Sequence, residues 1–563
     1  MAFRFLKRKR SYGREINPDE IFLDSSNLPD FDKQQFEGVI EKPIPRSSSN
    51  ALIFIFIFIF LAFTVKIFGL QIVHGEFYYN KSLNNSLTHE PIFAQRGIIY
   101  DRNGVPLAWN GKEEGEEDIP ERVYTEKGGF SHLLGYVSYP KKDEKGFYWQ
   151  REFIGKSGVE KIYNEELAGQ NGTKLVSVDV YGNIESGNQI IDSVPGDNVV
   201  LSVDERVQEK LYQAIKDHAT NFGFTGGSGI IMDIKTGELL AITNYPEYSS
   251  SVMSKGEDKE EIAYYQKASS KPFLNRAVSG LYTPGSIVKP FVAMGVLTED
   301  LIDPKKQIFS SGSISVKSPY DPDIVYIYKD NKAHGWVDMR RAIAVSSNVY
   351  FYEVGGGYQD QAGLGIDRIE KYVKLFGLDE MLDTDMEGEK KGIVPSRQWK
   401  AEKFKGDDWR IGDTYNTAIG QYGFQVTPLS MVRSIAAIAT NGKLVTPHVR
   451  LSDDQYTANN RDIGLSEADY QIVREGMRMV VTEGTAQSLS LLPFDVAAKS
   501  GTAQVGLEKN HINAWVVGFF PYENPRYSFV VLMERGPTTA SGANNVAREV
   551  LNFMYNETPE YVK

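Results

Sequence analysis

The stretch TPGSIVK at residues 283–289 decides how the whole chain is interpreted. Its Pro-Gly turn leads into the apolar run 291–297, so the pattern predicts a helix that Ser286 opens. Lys289 follows three positions later and lies on the same face of such a helix. A serine hydroxyl needs a neighbouring base, and a lysine whose charged form is disfavoured by burial can supply one. Chance supplies many Ser-x-x-Lys tetrads, so this one needs support from elsewhere in the chain.

A second polar motif, SSN at residues 346–348, lies inside the apolar helical stretch 342–351. Ser346 could relay a proton there, and Asn348 could hold both Lys289 and an amide of the substrate. The structural alternative is a buried helix cap that satisfies its own backbone.

A third motif, KSGT at residues 499–502, follows apolar residues and precedes a strand-like segment. A lysine and hydroxyl groups on an edge strand can hold a carboxylate, and Gly501 would let a substrate backbone approach closely. The alternative interpretation is an ordinary polar turn.

The order Ser-x-x-Lys, Ser-x-Asn, Lys-Ser-Gly resembles the motif set of the penicillin-recognising serine enzymes. The surrounding sequence is similar to class B penicillin-binding proteins in five segments: LNRA at 274–277, GLYTPGS at 280–286, GDTYN at 412–416, IGQ at 419–421 and TPL at 427–429. The GDTYN and KSG segments resemble the elongation-type members of that class more than the division-type members.

The resemblance implies a two-step acyl transfer on peptidoglycan stem peptides that end in D-Ala-D-Ala, inhibited by β-lactams and needing no metal or organic cofactor. Ser286 would form the acyl-enzyme, Lys289 would act as the base, and Ser346 with Lys499 would pass a proton to the leaving amine. Asn348 would complete the catalytic set. The backbone amides of Ser286 and Thr502 would form the oxyanion hole, and the substrate would be held by Ser500, Gly501 and Thr502.

Three departures from the family pattern stand out. Ile287 replaces a threonine that is common after the nucleophile, and Tyr422 replaces a glycine after Gly-Gln. Some relatives place zinc ligands, one of them a cysteine, near the second motif; this chain has no cysteine, and we expect no metal there. The histidines offer no competing triad, and we interpret His334 and His511 as structural.

Composition narrows the classes of function. The absence of cysteine excludes disulfides, thiolate catalysis and cysteine-ligated metals, and a net charge of −12 argues against nucleic-acid binding. Residues 47–65 carry no charge and are followed, after Lys66, by the apolar run 67–73. That length predicts a transmembrane helix, with a cleaved signal peptide as the alternative. Basic residues upstream predict a cytoplasmic N-terminus and a catalytic part outside the inner membrane.

We therefore expect four parts: a cytoplasmic tail (1–46), a transmembrane anchor (47–74), a strand-rich non-catalytic pedestal (75–203) and a penicillin-binding transpeptidase domain (204–563). The tail is a disordered tether or, with its acidic–apolar stretch 18–41, a docking segment. The resemblance implies a membrane glycosyltransferase of the shape, elongation and division family, with other elongation-complex proteins, as partners. A division-type transpeptidase, a D,D-carboxypeptidase or β-lactamase, and a β-lactam sensor are the alternatives.

The expected fold class is multidomain α+β or α/β. The resemblance implies an antiparallel sheet flanked by helices, with an all-helical subdomain. Strand patterns at both ends of the last domain, such as 229–242 and 527–533, predict that its first and last strands are neighbours. An amphipathic pattern over 205–219 predicts a helix, and Asn103-Gly104 predicts a hairpin turn.

Overall fold

The computed structural model describes residues 46–76, 78, 87–111, 119–144, 148–178, 184–318, 321, 323–451, 460–506, 510–540 and 542–563. The predicted cytoplasmic tail lies outside the described residues except for its last position. The chain divides into two compact units, residues 1–88 with 177–183 and residues 89–176 with 184–563. The boundaries predicted at 74 and 203 stay predictions.

In the first unit, the helix Arg46–Phe68 continues into a wider π-helical turn, Gly69–Val73. Within the described part of the chain, the segment Asn50–Val73 is the one helix whose length and apolarity suffice to cross a membrane. Its Ile and Phe side chains are exposed along its whole length, with Phe58 at 75%. A helix that is apolar on every side, with its side chains exposed among the described residues, is typical of a lipid-facing segment.

The second unit is organised around one antiparallel five-stranded sheet. In spatial order its strands are Leu239–Tyr245, Gly226–Asp233, Tyr527–Pro537, His511–Phe520 and Ala497–Val505. The strand Gly226–Asp233 pairs with Tyr527–Pro537, so the early and late strands are neighbours, as the pattern predicts. The KSGT motif lies in Ala497–Val505, called the edge strand below because only one side of it is paired within the sheet.

Helices cover both faces of this sheet. One face packs against Glu205–Phe222, with Asp204 as its N-cap, and against Asn544–Glu557; the other packs against Pro428–Ala439 and Glu467–Thr482. The predicted amphipathic helix is therefore confirmed, and it runs three residues further than its pattern indicates. Buried apolar side chains from the sheet and from both helical layers form one continuous core.

The subdomain expected to be all-helical also contains two small antiparallel ribbons. They pair Ile308–Ser310 with Gly335–Val337 and Ser313–Lys317 with Val325–Lys329. Around them lie the helices Lys289–Thr298, Met339–Val345, Asn348–Gly356, Ile366–Leu375, Arg397–Lys403 and Ile411–Ala418. The second ribbon ends just before Asp330, a residue that becomes important at the site.

Short strands dominate the region between the anchor and residue 203. A four-stranded sheet is ordered Val199–Val200, Ile99–Tyr100, Pro106–Gly111 and Glu121–Tyr124; the other strands are Leu87–Ile92, Tyr136–Ser138, Lys141–Lys142, Tyr148–Gln150, Ile154–Ser157, Gly172–Val178 and Ile184–Ile191. The predicted hairpin is present, with Gly104 at a φ of +82°. This region also contains three short helices, Ser131–Leu134, Gly158–Ile162 and Asn164–Ala168.

A buried ion cluster ties the pedestal strands to one of these helices. Arg96 Nε lies 2.5 Å from Glu160 Oε2, and Arg122 Nε lies 2.7 Å from Glu160 Oε1. All three side chains are 2% exposed or less. We call these three residues the pedestal ion cluster.

Candidate active site

Ser286 lies in a single 3₁₀ turn, Gly285–Val288, which runs directly into the helix Lys289–Thr298. The sequence pattern predicts that Ser286 opens an α-helix, whereas the α-helix begins at Lys289. The 3₁₀ turn favours an alignment of the serine with the lysine, because residues three apart line up in such a turn. Ser286 and Lys289 therefore follow one another along the same side of the turn.

The backbone of a second loop supports this turn. Gly285 N donates to Gly420 O at 3.0 Å, and a Cβ on Gly420 would lie 2.2 Å from Gly285 O. Only glycine allows this approach at position 420, where φ is +76°. Tyr422, two residues later, also has a positive φ of 63° although it is a bulky residue. The departure from the family glycine is therefore accommodated with the glycine-like backbone retained.

Lys289 is fully buried and donates to three oxygens of the second motif. Its Nζ lies 2.7 Å from Ser346 O, 3.3 Å from Ser346 Oγ and 2.7 Å from Asn348 Oδ1. Ser346 occupies the left-handed region, at φ 58° and ψ 40°, between two helices. That conformation turns its carbonyl and its hydroxyl toward the same ammonium group.

Lys499 reaches the same hydroxyl from the edge strand. Its Nζ lies 2.9 Å from Ser346 Oγ and 2.8 Å from Ser500 O, and its side chain is fully buried. Ser346 Oγ thus lies between Lys289 and Lys499, which we call the lysine pair. A hydroxyl can accept from one nitrogen and donate to another, so the geometry permits a proton to pass between them.

The electrostatics of the lysine pair follow from burial. Burial lowers the pKa of Lys289 to about 7, although the carboxylate of Asp330 acts in the opposite direction. Burial, and next the charge of Lys289, hold the pKa of Lys499 well below its usual value. Two like charges around one hydroxyl disfavour the doubly protonated state, so a neutral lysine is available near neutral pH.

The structure brings together four of the five predicted catalytic side chains: Lys289, Ser346, Asn348 and Lys499 are joined by hydrogen bonds. Among the described residues, the Ser286 hydroxyl forms no hydrogen bond with these four. Catalytic hydrogen bonds are often long without substrate and tighten in the complex. Ser286 is half-buried.

The three predicted substrate-binding residues lie side by side on the edge strand. Ser500 Oγ lies 2.6 Å from Thr485 Oγ1, and Thr502 is exposed. A Cβ on Gly501 would lie 2.9 Å from Ile287 Cγ2 and 3.0 Å from Pro284 O. The missing side chain at 501 therefore lets the protein's own nucleophile turn approach, where the sequence suggests room for a substrate.

Asp330 is a buried neighbour of the second motif that the sequence analysis does not indicate. Burial raises the pKa of its carboxyl, but hydrogen bonds from Asn348, Ser347 and Val349 and the charge of Lys289 outweigh burial and hold it below its usual value. His334 Nε2 lies 3.7 Å from Asp330 Oδ1. The structural interpretation of that histidine stays a prediction. His511 begins the strand His511–Phe520, which pairs with the edge strand.

A half-buried serine one turn before a buried lysine–serine–lysine network at a sheet edge is typical of one class, the serine acyl-transfer enzymes that use lysine as a base. Comparison with known families identifies the member of that class. The model of the penicillin binding protein transpeptidase domain matches residues 227–552, and that of the penicillin-binding protein dimerisation domain matches residues 117–201. The chain belongs to the penicillin-binding protein transpeptidase family.

Known relatives separate the elongation-type from the division-type branch. The chain is 26% identical to the peptidoglycan D,D-transpeptidase MrdA of Salmonella typhimurium, over 87% of this chain and 93% of that protein. The peptidoglycan D,D-transpeptidase FtsI of Escherichia coli is also 26% identical, but over only 73% of this chain and 62% of that protein. The prediction of an elongation-type transpeptidase is thereby confirmed.

Solved structures agree with this assignment. Pseudomonas aeruginosa PBP2 in complex with WCK 5153 is 30% identical and covers 84% of this chain and 98% of its own, with a TM-score of 0.69. Helicobacter pylori PBP2 in complex with MreC is 26% identical and covers 84% and 99%, with a TM-score of 0.68. The predicted transpeptidase fold is confirmed, and the chain is a membrane-anchored penicillin-binding enzyme.

Proposed function

We propose that the chain cross-links peptidoglycan stem peptides during cell elongation and that Ser286 carries the acyl group. The observation that supports this most strongly is the buried lysine at the end of the 3₁₀ turn that contains the serine. Neutral Lys289 takes the hydroxyl proton as Ser286 Oγ attacks the carbonyl of the penultimate D-Ala. An ester forms, the peptide bond breaks, and D-Ala leaves with a proton delivered through Ser346 from the lysine pair.

Substrate placement follows from the free side of the edge strand. An extended D-Ala-D-Ala peptide can lie along that side, where backbone N–H and C=O groups are open to a new strand. Ser500 and Thr502 hold its terminal carboxylate, and Gly501 keeps the strand close to the nucleophile turn. The backbone amides of Ser286 and Thr502 stabilise the oxyanion, as such donors do in acyl transfer. The amine of a second stem then takes the acyl group.

Labelling with fluorescent penicillin tests the nucleophile. Full-length protein in detergent should label rapidly, and Ser286→Ala should not label at all. Ser490→Ala is the matched control, because Ser490 is an exposed serine in another 3₁₀ turn, Gln487–Leu491. It should label as the wild type does. Equal labelling of Ser286→Ala and wild type would make the assignment wrong.

The fate of the acyl group tests cross-linking against hydrolysis. With a stem-peptide donor, an added acceptor amine should yield a cross-linked dimer detected by mass spectrometry, at the expense of the hydrolysed product. A D,D-carboxypeptidase or β-lactamase would instead release the hydrolysed product at the same rate with or without the amine. That second result would contradict the transpeptidase proposal.

We also propose a topology and a partner. The basic residues before the helix favour a cytoplasmic N-terminus and a catalytic unit outside the membrane. One solved relative, 26% identical over 91% of this chain with a TM-score of 0.69, belongs to a peptidoglycan synthase complex that coordinates polymerization and crosslinking. A membrane glycosyltransferase should therefore co-purify with the intact chain, and should be lost from a chain that lacks residues 1–74. Retention of that partner by the truncated chain would place the contact outside the anchor.

A further inference from the structure

The carboxylate of Asp330 holds the start of the helix Asn348–Gly356. Oδ1 accepts from Asn348 N at 2.8 Å, and Oδ2 accepts from Ser347 Oγ at 2.7 Å and from Val349 N at 3.0 Å. Ser310 Oγ donates to the same Oδ2 at 3.1 Å. The Asp330 side chain is completely buried. A negative charge that meets two free N–H groups at a helix N-terminus is strongly favoured there.

These contacts matter because the adjoining turn is not stable by itself. Ser346 is a non-glycine residue in the left-handed region, a strained conformation for an L-residue with a side chain. Its hydroxyl must nevertheless meet both members of the lysine pair. The atoms that Asp330 binds follow Ser346 immediately in the chain, so the carboxylate fixes the far side of this strained turn.

We propose that Asp330 is a positioning residue for acylation, because its carboxylate fixes the Ser-x-Asn motif against Lys289 and places a compensating charge behind that lysine. Asp330 donates no proton to the substrate and does not touch Ser286. The proposal rests on the proposed acylation of Ser286, and its test differs from the Ser286→Ala test.

The charge of Asp330 has a measurable consequence for Lys289. Among the described residues, Lys289 interacts electrostatically with Lys499 from the edge strand and with Asp330 and His334 from the loop before the second motif. Asp330 raises the pKa of Lys289 against the larger lowering by burial. Removing that charge lowers the pKa of Lys289 further, so the neutral base persists to lower pH.

The test is the rate of acylation by fluorescent penicillin as a function of pH, for the full-length Asp330→Asn variant and the wild type. Hydrogen bonds to a charged acceptor are stronger than those to a neutral amide, so we expect an acylation rate roughly 10–100-fold lower at the optimum. We also expect the acid limb of the profile to move to lower pH. A purely structural role would lower the rate without moving that limb.

Asp385→Asn is the matched control. Its carboxylate is also buried and accepts two backbone N–H groups, of Val449 and Arg450, and one hydroxyl, of Tyr163. It lies outside the three motifs, so the acid limb should stay in place in this variant. The proposal is wrong if Asp330→Asn shows the wild-type limb, or if its rate falls no further than that of Asp385→Asn.

Ser347→Ala keeps the test decisive even if Asp330→Asn does not fold. It removes one neutral donor to the carboxylate and leaves both charges in place. We expect slower acylation with an unmoved acid limb. Wild-type acylation by Ser347→Ala and by Ser310→Ala, both checked for folding by circular dichroism, would overturn the proposal.

Discussion

The pedestal ion cluster and the lysine pair each bury two basic side chains, but the groups that those side chains contact differ. Arg96 and Arg122 converge on one carboxylate, Glu160. Both lysines donate to the Ser346 hydroxyl. The other acceptors of Lys289 are a carbonyl oxygen and an amide oxygen. Within the described ranges, neither lysine has a carboxylate at ion-pair distance.

This difference separates a structural use of buried charge from a chemical one. A guanidinium keeps its proton in proteins, so a buried arginine requires a counter-ion and in return links distant elements. A buried ammonium among neutral acceptors loses its proton easily and becomes a base. Residue type and partner together distinguish the two uses, whereas burial alone does not.

Replacing Lys289 by arginine should have the largest effect on the rate of acylation. Lys289→Arg keeps a cation but removes a group that can be neutral near pH 7, so acylation should fall by about 10²–10⁴-fold. The measurement is the second-order rate of penicillin labelling. Lys400→Arg is the control, because Lys400 is a buried lysine that pairs with Asp413 at 2.7 Å, and it should label within a few-fold of wild type. A Lys289→Arg variant with similar activity would exclude Lys289 as the base.

Removing the counter-ion should destabilise the pedestal. Glu160→Gln leaves two buried guanidinium groups without a carboxylate, and breaking a buried pair in this way costs about 3–5 kcal/mol. Denaturant unfolding measures the loss, while molecules that remain folded should still be acylated at the wild-type rate. Glu549→Gln, at a half-exposed ion pair with Lys210, should cost about 1 kcal/mol or less. Equal losses from the two variants would contradict the distinction between the clusters.

The pH dependence of wild-type acylation tests whether Lys289 acts as a neutral base. Since the pKa of Lys289 is lowered to about 7, its neutral form predominates above that pH and is lost as the pH falls. Acylation should therefore drop about tenfold per pH unit on the acid side of 7. A limb near the ordinary lysine value of 10.5 would show that burial does not activate Lys289.

Gly501→Ala should have the smallest effect. The added Cβ would press on Ile287 Cγ2 and on Pro284 O, and such overpacking typically costs about 1–3 kcal/mol. The melting temperature and the labelling rate should both fall, because the edge strand moves away from the nucleophile turn. Gln504→Ala, exposed on the same strand, should change neither. An unchanged labelling rate for Gly501→Ala would show that the close contact between position 501 and the nucleophile turn does not fix the edge strand and its Lys499.

Local pattern and motif order predict much of this molecule. The amphipathic helix from Glu205 and the pairing of the early and late strands follow from apolar periodicity, which does not depend on distant contacts. The 3₁₀ turn at Gly285–Val288 does not follow, because periods of 3.0 and 3.6 cannot be distinguished over four residues. Family resemblance supplies the roles of the site residues, and those roles stay predictions until the labelling experiments are done.

The role of Asp330 could not be predicted for a different reason. It lies 17 residues before Ser347, in a Lys-Asp-Asn sequence that looks like an ordinary polar turn. Its partners are two backbone amides and two hydroxyls, and such donors leave no pattern in a sequence. Similarly, the left-handed Ser346 is not marked by glycine. Both features are set by tertiary packing, which local pattern does not encode.

Two acceptors of the lysine pair do not depend on the codon at their own position. Lys289 donates to the carbonyl of Ser346, and Lys499 donates to the carbonyl of Ser500. A main-chain oxygen is present whatever codon stands at its position. Codon changes at 346 and 500 therefore leave both acceptor atoms in the chain, whereas the loss of either lysine codon removes the corresponding contact outright.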